Sequence, residues 1–224
     1  MATREAEVIA AVRPVEVGSC AQCALLWFDQ TSSIRLTPKA VLALFAYIGQ
    51  NQTTARHPLG ASFRCPRCVT TLTLIHDLQR ATRFTYWRCP NDFGQLFTFT
   101  QFLREKDFIR TPSPEELARL RATVRQIACS QCGAPIDLAA DSACRHCGSP
   151  IALIDPDGVA KAVRSLSAAV PPDADSAQLS ATLRDAQVNA ILEAAHLHER
   201  EQDHDLLAIG AGAIGTLLAG LIAH

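Results

Sequence analysis

Cys129-Ser-Gln-Cys132-Gly133, ten further residues, then Cys144-Arg-His-Cys147-Gly148: this stretch decides the fold. Each Cys-x-x-Cys pair is followed directly by glycine, the residue that lets a backbone turn tightly enough to aim two thiolates at one ion. Tetrahedral zinc takes four such ligands at about 2.3 Å, and a closed four-cysteine set leaves no position open for catalysis. The spacing therefore predicts a zinc ribbon whose metal is structural.

The remaining cysteines extend the theme. Eight of the nine lie in Cys-x-x-Cys pairs, which points to metal ligation in a reducing compartment rather than to disulfides. The start, Met1-Ala-Thr-Arg-Glu-Ala-Glu, has no apolar run of the signal-peptide kind, so a cytoplasmic location is expected. Cys20-Ala-Gln-Cys23 and Cys65-Pro-Arg-Cys68 are two more knuckles, and Cys89-Pro-Asn-Asp92 reads as another that lacks its second cysteine. Between Cys68 and Cys89, two flanks rich in β-branched and aromatic residues predict a hairpin with a knuckle at each end. Two ligand sets compete. Cys20, Cys23, Cys65 and Cys68 complete a four-thiolate site and are the favoured set. Alternatively Cys65, Cys68 and Cys89 bind zinc, with Asp92 or His76 as the fourth ligand. A third, less favoured possibility is that this half has lost its metal; the expected cofactor is zinc, about two ions per chain.

Cys65-Pro-Arg-Cys68 with its hairpin, and Cys20-Ala-Gln-Cys23-Ala-Leu-Leu-Trp27-Phe28-Asp29, resemble the two halves of bacterial zinc ribbons of the transcription-factor-IIB type. Here the halves come in swapped order, and residues 24–26 lack the family's glycine. The resemblance covers about residues 15–100 and implies a small zinc-binding domain without assigning it a role. The 129–147 unit is similar to short ribbons used as accessory modules.

The organisation predicted is α+β: small zinc-stabilised β-ribbons with intervening helices and a helical C-terminal part. Residues 1–110 form an N-terminal zinc-ribbon domain with an inserted helix, 111–128 a connecting helix, 129–150 the four-cysteine ribbon, 151–205 a helical acidic segment and 206–224 an apolar helix. Thr37-Pro38 opens the inserted helix, with Val41, Leu42, Leu44, Phe45 and Ile48 on its apolar face and Gly49 as its stop. Ser113-Pro114-Glu115-Glu116 is a capping box that starts a helix carrying Leu117, Leu120, Val124 and Ile127.

Charge is unevenly spread. From Arg56 to Arg88 six arginines face one acid, Asp77, whereas from Asp173 to Asp205 eight acids face two arginines. Arg80, Arg83 and Arg88 interleave with Phe84, Tyr86 and Trp87. That pattern supports an alternative reading in which Arg80, Arg83, Arg88 and Trp87 bind nucleic acid in a transcription-associated role.

Residues 206–223 are an uncharged run of 18, roughly 27 Å as a helix, with small residues at every fourth position. The run is expected to bury its apolar surface outside the zinc domains, in a membrane as an anchor, or against a protein partner or second copy of the chain, with a core helix of the same chain as the least favoured alternative. No GxSxG elbow or Walker loop is present. The sequence thus predicts a non-enzymatic zinc-binding adaptor or scaffold that engages another protein, with the apolar helix as its attachment.

Overall fold

The computed structural model describes residues 2–6, 15–30, 32–50, 59–60, 62–79, 82–166, 176–197 and 205–222. Strands β1 (Ala2–Ala6), β2 (Val15–Cys20) and β3 (Leu25–Asp29) lead into helix α1 (Pro38–Gln50). Strands β4 (Thr73–Gln79), β5 (Thr82–Arg88) and β6 (Gly94–Thr98) follow, then α2 (Phe99–Glu105), β7 (Ile109–Arg110) and α3 (Pro114–Thr123). Strands β8 (Gln126–Ala128), β9 (Pro135–Asp137) and β10 (Leu153–Ile154) precede three helices, α4 (Pro156–Leu166), α5 (Ser176–Leu197) and α6 (Leu206–Ile222). The class is α+β, as expected.

Six strands form one antiparallel sheet in the order β1-β2-β3-β6-β5-β4. Its centre is covered on both faces, which is why Leu25, Leu26, Trp27 and Phe28 run together without polar alternation. Leu26 and Phe28 face the helices, joined there by Phe97 of β6 and by Phe84 and Tyr86 of β5. Leu25 and Trp27 face the other way, with Leu96, Cys65 and Cys89. On the helix side Tyr86 stacks on Phe97 with centroids 5.0 Å apart, and Phe28 stacks on Phe102 of α2 at 5.7 Å.

Helix α1 begins as expected: Thr37 Oγ1 accepts from the Ala40 N–H at 3.1 Å, with Pro38 as the first helical residue. It is buried almost all round, because the sheet lies on one side and α6 on the other. Gly49 does not stop the helix. A Cβ there would lie 2.2 Å from the Ala211 carbonyl oxygen, so glycine is what allows α1 and α6 to touch backbone to backbone.

This contact corrects the sequence reading of the apolar tail. Leu207, Ala211, Ile214 and Leu218 belong to the same core as Phe45 and Phe28. The small residues expected to serve a membrane or a partner instead admit α1, and Gly215 sits against Ala46. Among the described residues no helix is long and apolar enough to cross a membrane. Nor does the acidic segment stand apart: Val159 and Ala160 of α4 and Leu183 of α5 join that core as well.

The four-cysteine ribbon has its own core of Ile127, Ile136, Leu138 and Ile151, closed by Ile191 of α5 and Leu206 of α6. The capping box at Ser113 is present, with Glu116 also gripping Arg110 through two bonds of 2.6 Å. Helix α3 ends at Thr123, earlier than its apolar spacing implied. Val124 takes extended geometry as the C-cap, and Ile127 passes into β8.

Candidate metal centres

Both Cys-x-x-Cys turns of the ribbon close in the same way. The Cys129 N–H donates to the Ala134 carbonyl at 2.8 Å, and the Gly133 N–H returns to the Cys129 carbonyl at 2.7 Å. Cys144 repeats the pattern with Ser149 and Gly148, each at 2.8 Å. Gly133 and Gly148 have φ of +78° and +71°, in the left-handed region where a side chain is strained. All four sulfurs lie within 4.8 Å of one another. Cys129 Sγ is 3.6 Å from Cys147 Sγ, and Cys132 Sγ is 3.7 Å from Cys144 Sγ. Ligands about 2.3 Å from a tetrahedral zinc stand about 3.8 Å apart, so the cage has the ion's dimensions.

Burial pushes the Cys129 thiol far above its ordinary range and Cys147 up to about 11, whereas at Cys144 burial is outweighed by the backbone N–H groups of Cys147 and His146, which lower the thiol's pKa. Four thiolates could share this site only with a compensating cation, a part that a soft dication would fill.

A second cluster forms on the sheet's other face from Cys65, Cys68 and Cys89, whose sulfurs also lie within 4.8 Å of one another. Cys65 and Cys89 are buried, and Cys68, 3.5 Å from Cys89 Sγ, reaches the surface. The Cys65 turn has the ribbon's two backbone bonds, to Thr70 and from Val69, both 2.9 Å. Val69 holds φ of +61° where the ribbon has glycine, a strained state for a β-branched residue. Thr70, with its hydroxyl and backbone, and then Asn91 favour the Cys68 thiolate and bring its pKa down to about 6.

The Trp-x-Asp phrase has a structural use. Trp27 Nε1 donates to Asp29 Oδ1 at 2.8 Å, and Arg67, inside the first turn, donates to Asp29 Oδ2 at 2.7 Å. The Cys65–Cys68 turn is thereby pinned to the end of β3 where Cys89 also lies.

The favoured ligand set is not assembled. Asp29 pairs with Gly94 beside the Cys89 turn, whereas Leu25 pairs with Thr98 beside the Cys20–Cys23 turn. A strand of this length separates its ends by about 13 Å, so the two turns occupy opposite ends of β3. Cys20 and Cys23 lie outside both clusters. Of the alternative fourth ligands, Asp92 is exposed and pairs with Arg88 at 2.6 Å, and His76 is exposed on β4. Neither joins the three sulfurs. His57, a weaker candidate ligand on sequence alone, lies outside the described residues.

The basic hairpin is placed differently from a stacking surface. Phe84 and Tyr86 are in the core, Trp87 packs on Phe63 at 4.6 Å, and Arg88 is engaged with Asp92. Arg83 pairs across from Leu78 on β4, and Arg80 lies outside the described residues.

The ribbon is wired to the rest of the fold through the two residues between its first cysteines. Gln131 Oε1 accepts from Thr98 Oγ1 at 3.1 Å and from Gln101 Nε2 at 3.3 Å, and Thr100 Oγ1 donates to the Ser130 carbonyl at 2.7 Å. Ser130 Oγ donates to Asp205 Oδ1 at 2.6 Å, which also accepts the Leu207 N–H at 3.0 Å as the cap of α6. The sequence reading missed Asp205. An aspartate immediately before an apolar run is the signal that would have found it.

Comparison with protein-family models, curated proteins and solved structures finds no match.

Proposed function

We propose that this chain is a non-enzymatic zinc-binding scaffold that holds one metal in the Cys129–Cys132–Cys144–Cys147 cage and another at Cys65, Cys68 and Cys89. The observation that carries this reading is the four-sulfur cage, sized for zinc and tied to α2 and α6. Its metal organises structure and leaves no position for a substrate. No two of the nine cysteines are joined in a disulfide, which leaves the sulfurs of both clusters available to metal.

Because α6 is built into the core, attachment falls to another surface. Strand β4 ends the sheet and exposes Leu74 and Leu78 along its length. The exposed apolar side chains, and a backbone edge that no other described strand pairs, favour an extended segment of a partner protein adding as a further strand. A transcription-associated, nucleic-acid-binding ribbon draws less support, because the hairpin's aromatic rings are packed within the protein.

The test combines metal analysis with capture. Anaerobically purified protein should carry about two zinc ions per chain. A partner captured from native cells should be lost with Leu74→Asp/Leu78→Asp while zinc content is unchanged. Zinc below one per chain, or salt-sensitive retention of nucleic acid instead of protein, would defeat the proposal.

A further inference from the structure

We infer that the Cys65–Cys68–Cys89 centre leaves its metal one open coordination position, and that a small thiol from solution fills it; this rests on the reading that the cluster holds a metal. The two centres differ by one cysteine. Three turns, at Cys65, Cys129 and Cys144, carry a second cysteine three positions on. The Cys89 turn closes with the matching bond from its N–H to the Gly94 carbonyl, 2.9 Å, but has Asp92 at that place.

Asp92 does not substitute for the missing thiol. Its φ of +57° and its 2.6 Å pair with Arg88 turn the carboxylate outward, leaving the side chain 73% exposed. Among the described residues no other cysteine, histidine, aspartate or glutamate reaches the three sulfurs. Cys20 and Cys23 are held off by the length of β3.

The ligand class follows from the donors already there. Three sulfurs make a soft site, so a thiolate is the best-matched fourth ligand. Access is on the Cys68 side, where Asn91 Nδ2 lies 3.5 Å from Cys68 Sγ and 3.3 Å from Thr70 Oγ1. Those polar groups, with the Arg67 N–H 3.4 Å from Cys65 Sγ, offset the negative charge that a fourth thiolate brings. The incoming thiol releases its proton to solvent and its sulfur bonds to the metal. No electron is transferred.

The experiment is cadmium-113 NMR of the full chain, loaded anaerobically with cadmium and titrated with 2-mercaptoethanol. Two resonances are expected, one at the four-sulfur position and one upfield that Cys89→Ser removes. The thiol should move only the upfield signal, toward the four-sulfur position. An upfield signal indifferent to saturating thiol overturns the inference. So do two four-sulfur signals from the start, or thiol sensitivity that appears only in His57→Ala. A single resonance, lost in Cys132→Ser and kept in Cys89→Ser, instead removes the metal from the N-terminal cluster, and the underlying reading fails with it.

Discussion

Ser130 Oγ donates to Asp205 Oδ1 across 2.6 Å, joining a residue flanked by two cysteines of the four-sulfur cage to the cap of the last described helix. The metal cage and the α1–α6 core are therefore not independent. A change at either end of this bond should be felt at the other.

Asp205→Ala removes a helix cap and that bond together. We expect a loss of about 1–2 kcal/mol in denaturant unfolding, with faster zinc release to a chelator. Ser130→Ala should cost less, because Asp205 keeps the Leu207 N–H. A double-mutant cycle showing strict additivity would rule out the coupling.

Metal content should divide the cysteines into groups. Cys132→Ser should remove one zinc and unfold the ribbon, leaving the N-terminal metal in place. Cys20→Ser/Cys23→Ser should leave zinc content as it was, since both thiols lie outside the clusters. Loss of a zinc in that double variant, measured by elemental analysis, would restore the four-thiolate set that the strand geometry excludes.

Helix contact gives a steric prediction. Gly49→Val places atoms where Ala211 O already sits, with even a Cβ at 2.2 Å. A loss of about 1–3 kcal/mol should appear as a lower thermal midpoint by circular dichroism. Deletion of residues 206–224 should yield an aggregating, poorly folded chain. A soluble, zinc-loaded, cooperatively melting product would show that α6 is dispensable.

Glu116 supplies a pH dependence. Its hydrogen bonds with Arg110 hold its pKa at about 2, against an ordinary 4.5. The contribution is complete above pH 4.5 and is lost as pH falls toward 2. Glu116→Gln should be less stable than the parent at neutral pH by about 1 kcal/mol, and the gap should close between pH 4.5 and 2. A constant difference across that range would contradict the assignment.

Local signals proved the most legible. The Ser113 capping box, the Thr37-Pro38 helix start and both ribbon turns rest on neighbours in the chain, and all are present. The Cys65–Cys68–Cys89 cluster was visible only as an alternative, because choosing it needs the β3–β6 register, a long-range fact. The tail was misread for a related reason. A stripe of Ala and Gly records that something approaches closely, and nothing in residues 206–223 says that the visitor is α1. Arg88, placed on a nucleic-acid surface by its basic neighbours, has a local task with Asp92.

The junction of Gly49 with Ala211 also bears on how the chain is made. Helix α1 leaves the ribosome well before α6, so its apolar flank must wait, uncovered, while the intervening residues are made. Such distant pairing is slow to form and leaves a nascent chain sticky in the meantime. Chaperone engagement should therefore last until the α6 segment emerges, and products cut short before it should be cleared by proteolysis rather than accumulate.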